Sequence, residues 1–198
     1  MRKEHKEKLS REQTAEITTL MKETGVIMEG HFLLTSGRHS DTFLQCSQIL
    51  QYPGPTSEIC RLVAEPFSNQ EIATVIGPAM GGVILSYETA RWLDARTIYA
   101  EPSEGKMILR RGFSIKPGER VLVVEDAVST GGSVQKVIDL LHRLEAEVVG
   151  VSVLIDRSDG RVDFGVPSSA ILTMNIESFE PQNCPLCQKG IPLVKPKA

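Results

Sequence analysis

The stretch VLVVEDAVSTGGSV, Val121 to Val134, sets four apolar, mostly β-branched residues before two adjacent acids, a small hydroxyl-bearing loop with two glycines, and the start of a helical pattern. Four such apolar residues in a row read as a strand buried on both faces, since a half-buried strand would alternate. Downstream, Val134, Val137, Ile138, Leu141 and Leu144 recur at helical spacing. Strand, tight loop and amphipathic helix together predict one unit of a mostly parallel sheet.

The same unit recurs on either side. IATVIG (72–77) predicts a strand, GGVILSYETARWL (81–93) a helix, ARTIYAE (95–101) a strand, and EVVGVSVLID (147–156) another continuous apolar strand. Parallel strands separated by amphipathic helices require a sheet covered on both faces. KMILRRGFSI suggests a strand or hairpin arm before the KPGER turn. Before residue 70, Ile17, Leu20 and Met21 share one face of an N-terminal helix with Gly25 as its stop, and HFLLTSGRHSDTFLQC reads as a hairpin with a polar turn. After YPGPTSE a helix is expected to start at Thr56 or Ser57 and to end near Pro66. No internal repeat is visible.

In such a sheet ligands collect at the carboxyl ends of strands, where Glu125, Asp126 and the following loop fall. A loop of small residues lets backbone N–H groups approach an anion, Ser129, Thr130 and Ser133 add hydroxyls, and the helix contributes its positive end. Residues 127–133 are therefore expected to cradle a phosphate. The lysine-bearing triphosphate loop GxxxxGK[ST] is absent from the sequence. Two neighbouring acids should repel unless a sugar diol, water or a cation lies between their oxygens. The plain alternative is a solvated strand end followed by a glycine turn.

The 198 residues are 41% hydrophobic and 24% charged with a net charge of −3, which predicts one soluble α/β domain. An acidic balance argues against a general nucleic-acid or anionic-membrane binder. No apolar run is long enough to cross a bilayer, and MRKEHKEKLSREQ lacks the apolar core of a secretory signal, so a cytoplasmic location is expected. Of the four cysteines, Cys184 and Cys187 form a lone CPLC without a second pair at zinc-site spacing. They read as structural or incidental thiols, with Cys46 and Cys60 available to a metal only through the accident of folding. His31 and His39 flank the SGR segment and read as hydrogen-bonded structural residues, with contact to a base as the alternative. His5 and His142 look like surface positions.

VLVVEDAVSTGGS resembles the phosphoribosyl diphosphate (PRPP) motif of the type I phosphoribosyltransferases. TSGRHSDTF, GPAMGG (77–82) and LIDRSDG (154–160) resemble, in order, three segments of the orotate phosphoribosyltransferases, and the likeness spans roughly residues 20–165. The tail CPLCQKGIPLVKP is similar to the ending of a short bacterial or archaeal subgroup of them.

The resemblance implies the type I phosphoribosyltransferase fold, a central mostly parallel sheet flanked by helices. A single domain would span residues 1–198, with residues 1–45 and a C-terminal part as a small hood over a core of about 55–160. It implies transfer of the 5-phosphoribosyl group from PRPP to orotate in pyrimidine nucleotide synthesis, with Mg²⁺ carried mainly by PRPP and no direct side-chain metal ligand. Glu125 and Asp126 would face the ribose hydroxyls, and Ala127, Val128, Ser129, Thr130, Gly131, Gly132 and Ser133 would hold the 5-phosphate. Gly77, Pro78, Ala79, Met80, Gly81 and Gly82 would form the pyrophosphate loop; Arg157, Ser129, Ser36, Gly37 and Phe43 would meet orotate. Family members carry a lysine before SGR and another inside GPAxxG, where this chain has Thr35 and Gly81, and a basic mobile loop often lent by the neighbouring subunit. The matching stretch here is EPSEGKMILRR, and Lys106 is its expected catalytic cation, with Arg110 and Arg111 further on. A homodimer is implied. A transferase for a purine or other base, or a non-catalytic PRPP-sensing regulator, are the alternatives.

Overall fold

The computed structural model describes residues 9–196, so His5 lies outside the described residues. Helix α1 spans Arg11–Glu23 and starts at a reciprocal cap: Gln13 N–H donates to Ser10 Oγ at 3.1 Å while Ser10 N–H donates to Gln13 Oε1 at 2.9 Å. Its apolar face buries Ile17 and Met21. Strands β1 (Ile27–Leu33) and β2 (His39–Leu44) form an antiparallel hairpin. The short α2 (Ser47–Leu50) leads into α3 (Pro53–Ala64) and a 3₁₀ turn at Glu65–Phe67. Helix α3 thus begins three residues before the expected Thr56, because a proline is well tolerated in a helix's first turn, where its missing N–H has no partner to lose.

Then follow β3 (Thr74–Pro78), α4 (Gly81–Leu93), β4 (Arg96–Ser103), β5 (Lys106–Ile108), β6 (Arg120–Val128), α5 (Gly132–Arg143), β7 (Glu147–Asp156) and β8 (Ser168–Thr173). After β8 the tail carries a 3₁₀ turn at Pro181–Asn183 and the one-turn α6 (Pro185–Gln188). Strands β3 to β8 form one sheet in the order β5-β4-β3-β6-β7-β8, parallel except for β5. Strand β8 carries the sheet past the expected core limit near residue 160; SSAILT is short and follows a polar loop, which hid it from a periodicity reading.

The alternation of β6 divides the interior. Leu122 and Val124 pack with α1, α3 and α4, whereas Val121 and Val123 pack with Val134, Val137, Ile138 and Leu141 of α5. Helices therefore cover both faces. From β3 the chain goes outward to β4, then crosses to β6 on β3's other side and outward again to β7 and β8. The β3 and β6 ends are thus a topological switch point, where the loops that follow diverge to opposite faces and open a crevice. No helix among the described residues is long and apolar enough to cross a membrane.

Candidate active site

Two loops wall the crevice. The first leaves β3 at Gly77 and enters α4 at Gly81, with a cis Ala79–Met80 peptide. It is drawn tight: a Cβ on Gly77 would lie 2.4 Å from the Gly82 carbonyl oxygen, and one on Gly81 would lie 2.4 Å from Asp126 Oδ2. A lysine at 81 would therefore displace the loop or the Asp126 carboxylate, which accounts for glycine at this place.

The second loop leaves β6 and enters α5. Glu125, Ala127, Val128, Ser129, Thr130, Gly131, Gly132 and Ser133 line a cleft of ≈ 70 Å³. Gly131 caps α5 with φ 75°, and a Cβ there would meet Val162 at 2.6 Å and Phe164 at 2.9 Å. Glycine is required on both counts. The phosphate cradle expected over 127–133 thus has its small residues, exposed Ser129, Thr130 and Ser133, and a helix start within one concavity.

The acids belong to β6 itself, which runs on to Val128 rather than stopping at Val124. Successive strand side chains leave on opposite faces, so Glu125 lines the cradle and Asp126 turns to the Gly81 loop. Their repulsion is further eased by the backbone: Ala127 N–H donates to Asp126 Oδ1 at 2.7 Å, and Asp126 N–H donates to Glu125 Oε1 at 3.1 Å. Burial, and then the charge of Asp126, still pushes Glu125 up to about 8; burial also raises Asp126. The pair is costly to charge in the free protein and calls for hydroxyl donors or a cation.

Arg157 follows β7, and its N–H donates to Val128 O at 2.7 Å, joining the two strand ends. Its Nε is buried without a hydrogen-bond partner. Cys46 locates its charge: burial, then the Asp126 charge, drive this thiol's pKa upward, while Arg157 opposes and Glu125 adds to the rise. The charges of both acids and of Arg157 thus all act on one buried sulfur, whose Sγ lies 3.7 Å from Asp126 O.

Other expected residues stand apart. Ser36 and Gly37 form the exposed turn of the β1–β2 hairpin, and Phe43 lies against Phe32 with ring centroids 5.7 Å apart; none lines the cradle. Lys106 also stands apart from the crevice of its own protomer. Glu104 and Gly105, both at positive φ, make a tight turn that folds β5 back on β4. Lys106 therefore shares a separate cleft with Leu140, Arg143 and Leu144 at the far end of α5. Twelve helical residues rise about 18 Å, so this lysine does not reach the cradle of its own protomer. The site residues hidden from the sequence are Cys46 and the Gly81–Asp126 approach, neither of which has a spacing signature.

His142 is exposed, as expected. His31 and His39 are buried, 2% and 5% exposed, and their rings meet at 3.0 Å between His31 Nε2 and His39 Nδ1.

A family model described as the phosphoribosyl transferase domain matches residues 45–164. The orotate phosphoribosyltransferase of Desulforamulus reducens is 52% identical over 181 residues, covering 91% of this chain and 95% of its own. That of Caldanaerobacter subterraneus is 56% identical over 171 residues, 86% of this chain and 90% of its own. Among solved structures, orotate phosphoribosyltransferase from Aeropyrum pernix superposes with a TM-score of 0.67 at 27% identity, over 80% of this chain and 93% of that one.

Proposed function

The chain belongs to the phosphoribosyl transferase family, and from that premise we propose that it transfers the 5-phosphoribosyl group of PRPP to orotate, giving orotidine 5′-phosphate and pyrophosphate for pyrimidine nucleotide synthesis. The observation that carries the reading is the crevice at the β3–β6 switch point, where buried Glu125 and half-buried Asp126 stand between the small-residue loop 127–133 and a second glycine loop. Orotate rather than another base is favoured by relatives about half identical over nine-tenths of the chain, and by the guanidinium of Arg157 with its buried, unpartnered Nε. A fork of always-charged donors suits a planar acidic base.

In this reading residues 127–133 hold the 5-phosphate through backbone N–H groups, the three hydroxyls and the α5 N-terminus. Glu125 and Asp126 accept from the ribose hydroxyls, and residues 77–82 follow the pyrophosphate. Orotate lies beside Arg157 and Ser129, with Ser36, Gly37 and Phe43 closing from the hairpin, which together with the tail forms a hood. The orotate ring nitrogen forms its bond to C1 of the ribose as the bond from C1 to the pyrophosphate oxygen breaks. The electron pair leaves with pyrophosphate, which takes up the proton that the ring nitrogen gives up. Holding the two reactants in register is worth about 7–11 kcal/mol, and closing the hood keeps water from C1.

The oxygens of Glu125 and Asp126 are hard ligands of the kind Mg²⁺ takes one or two of while substrate oxygens and water supply the rest, so the pair fits a Mg²⁺ bound chiefly by substrate. When bound it would offset the charge that develops on pyrophosphate. A second copy of the chain supplies what one protomer lacks. Met80, Ile84 and Tyr87 expose an apolar stripe, 83%, 47% and 63% accessible, that continues from the pyrophosphate loop along α4. We assign it to a homodimer interface through which Lys106 of one protomer serves the other's site. Soluble, charged substrates agree with a cytoplasmic enzyme.

The test offers purified protein Mg²⁺, PRPP and, separately, orotate, adenine, hypoxanthine, xanthine and uracil, with pyrophosphate and nucleotide quantified. Orotate alone should give product, and Arg157→Ala should raise the KM for orotate at least tenfold while PRPP binding is kept. Turnover with a purine moves the assignment to another base. PRPP binding without turnover leaves a regulator.

A further inference from the structure

We propose that His31, His39, Cys184 and Cys187 form a structural zinc site that fastens the C-terminal tail to the β1–β2 hairpin. The two histidines come from the paired strands β1 and β2, and the two cysteines bracket the turn CPLC, in which Cys184 caps α6. Their ligand atoms, His31 Nε2, His39 Nδ1 and the two Sγ, all lie within 4.8 Å of one another. His31 Nε2 is 3.0 Å from His39 Nδ1, 3.5 Å from Cys184 Sγ and 3.7 Å from Cys187 Sγ; His39 Nδ1 is 3.3 Å from Cys187 Sγ. A tetrahedron with zinc–nitrogen bonds of about 2.0–2.1 Å and zinc–sulfur bonds of about 2.3 Å has edges of about 3.3–3.8 Å. The four distances match those edges to within a few tenths of an ångström.

Proton placement points the same way. His31 Nδ1 lies 2.7 Å from the carbonyl oxygen of Ile191, which only accepts, so Nδ1 carries the hydrogen and Nε2 turns a lone pair inward. Metal-bound histidines are oriented by this kind of outer bond. In a purely hydrogen-bonded cluster that lone pair would accept from His39 Nδ1, and the two sulfurs would be left with weak thiol contacts alone. A cation satisfies all four inward atoms together. Two thiolates and two neutral imidazoles around a divalent ion make a neutral unit, suited to the burial of His31, His39 and Cys184 at 2%, 5% and 1% exposure. Cys187 is exposed and gives the ion a way in. Nitrogen and sulfur ligands in a closed set of four select zinc in a structural role, because no position is left for substrate. Binding releases the two thiol protons.

The backbone shows what the ion would hold. Val194 N–H donates to His31 O and Leu33 N–H to Val194 O, at 2.8 and 2.9 Å, while His39 and Phe179 exchange both backbone bonds. The site would be the side-chain clasp on a tail already laid along both hairpin strands, and so would set the hairpin turn that carries Ser36 and Gly37.

The test is metal analysis of full-length protein isolated from zinc-supplemented medium under reducing conditions. We expect about one zinc per chain, released by a mercurial reagent in step with two thiols, and a cobalt-substituted form with the intense visible bands and thiolate charge transfer of tetrahedral coordination. Cys187→Ser should lower metal content tenfold or more and abolish the charge transfer. Chelation should lower the melting temperature of the wild-type protein and leave that of the variant unchanged. Less than about a tenth of an equivalent in wild-type protein, both as isolated and after incubation with zinc, overturns the proposal, as does a Cys184–Cys187 disulfide in the reduced preparation. Because metal content is read without turnover, these results stand whether or not orotate proves to be the substrate.

Discussion

The crevice and the hairpin–tail clasp both gather polar side chains out of water, and they do so by opposite routes. The crevice takes its groups from residues 77–82 and 125–133, each set within a few positions of one strand end. The clasp joins His31 to Cys184 across 153 positions and His39 to Cys187 across 148. One is produced by local turns at a switch point, the other only by closure of the whole chain. They also differ in energy: burial holds the crevice acids in a state that resists charging, whereas each inward atom of the clasp meets a partner.

The crevice side of this contrast breaks most visibly at the acids. Asp126→Asn should reduce kcat/KM about 10²- to 10³-fold, the usual cost of one preorganised polar contact, measured with PRPP and orotate in excess Mg²⁺. Glu125→Gln should also lose activity yet gain stability in alkaline solution. The Glu125 pKa rises from an ordinary 4.5 to about 8 in the folded state, so the folded chain binds this proton more tightly than the unfolded chain. The resulting stabilisation is complete below about 4.5 and disappears as pH climbs through 8. Glutamine has no such loss. The ligand-free variant should therefore exceed the wild type by about 1–3 kcal/mol at pH 9, a few degrees in melting temperature, and match it near pH 4. Equal stabilities at both pH values would remove the energetic half of the contrast.

The difference in route also decides what the sequence could reveal. VLVVEDAVSTGGS lies in one continuous run, so the buried strand, its two acids and the small-residue loop after them were legible from order alone, as was α4 to its ends at Gly81 and Leu93, whereas the GPAMGG loop was legible only through resemblance. Arg157 was legible only as a strand-end arginine; that its charge acts on Cys46 together with that of Asp126 depends on packing. The place of Lys106 was not legible, because a basic loop in sequence says nothing of the left-handed turn at Glu104 and Gly105 that draws it to the other end of α5. The clasp was illegible for a similar reason. CPLC offered half of a ligand set, and the other half sat in a hairpin whose histidines, eight positions apart, have no metal-site spacing of their own.

Gly131→Ala sharpens the local side by a smaller step. The substitution keeps every polar group of the cradle and adds one methyl at φ 75°, 2.6 Å from Val162 and 2.9 Å from Phe164. Left-handed strain and overpacking together should cost about 2–4 kcal/mol of stability, read by urea denaturation, and should raise the KM for PRPP more than that for orotate. A variant of wild-type stability would mean that the loop yields to the methyl, and that the cradle is shaped by ligand rather than by its own packing.

Arg38→Ala probes whether the clasp depends on its polar surroundings or on its four inward atoms. Arg38 sits in the hairpin turn and reaches the tail: its Nε donates to Ser178 Oγ at 2.8 Å, its Nη2 to Ser178 O at 2.5 Å, and its Nη1 pairs with Glu180. Glu180 is about half exposed, and ion pairs so open to water contribute about 0–1 kcal/mol. The backbone exchange between His39 and Phe179 lies beside them and survives the substitution. Removing the guanidinium should therefore lower the melting temperature by no more than a few degrees, with zinc content unchanged. A fall in zinc content as large as that of Cys187→Ser would instead make the arginine bridge the element that sets the tail in place, with the ion bound only after it.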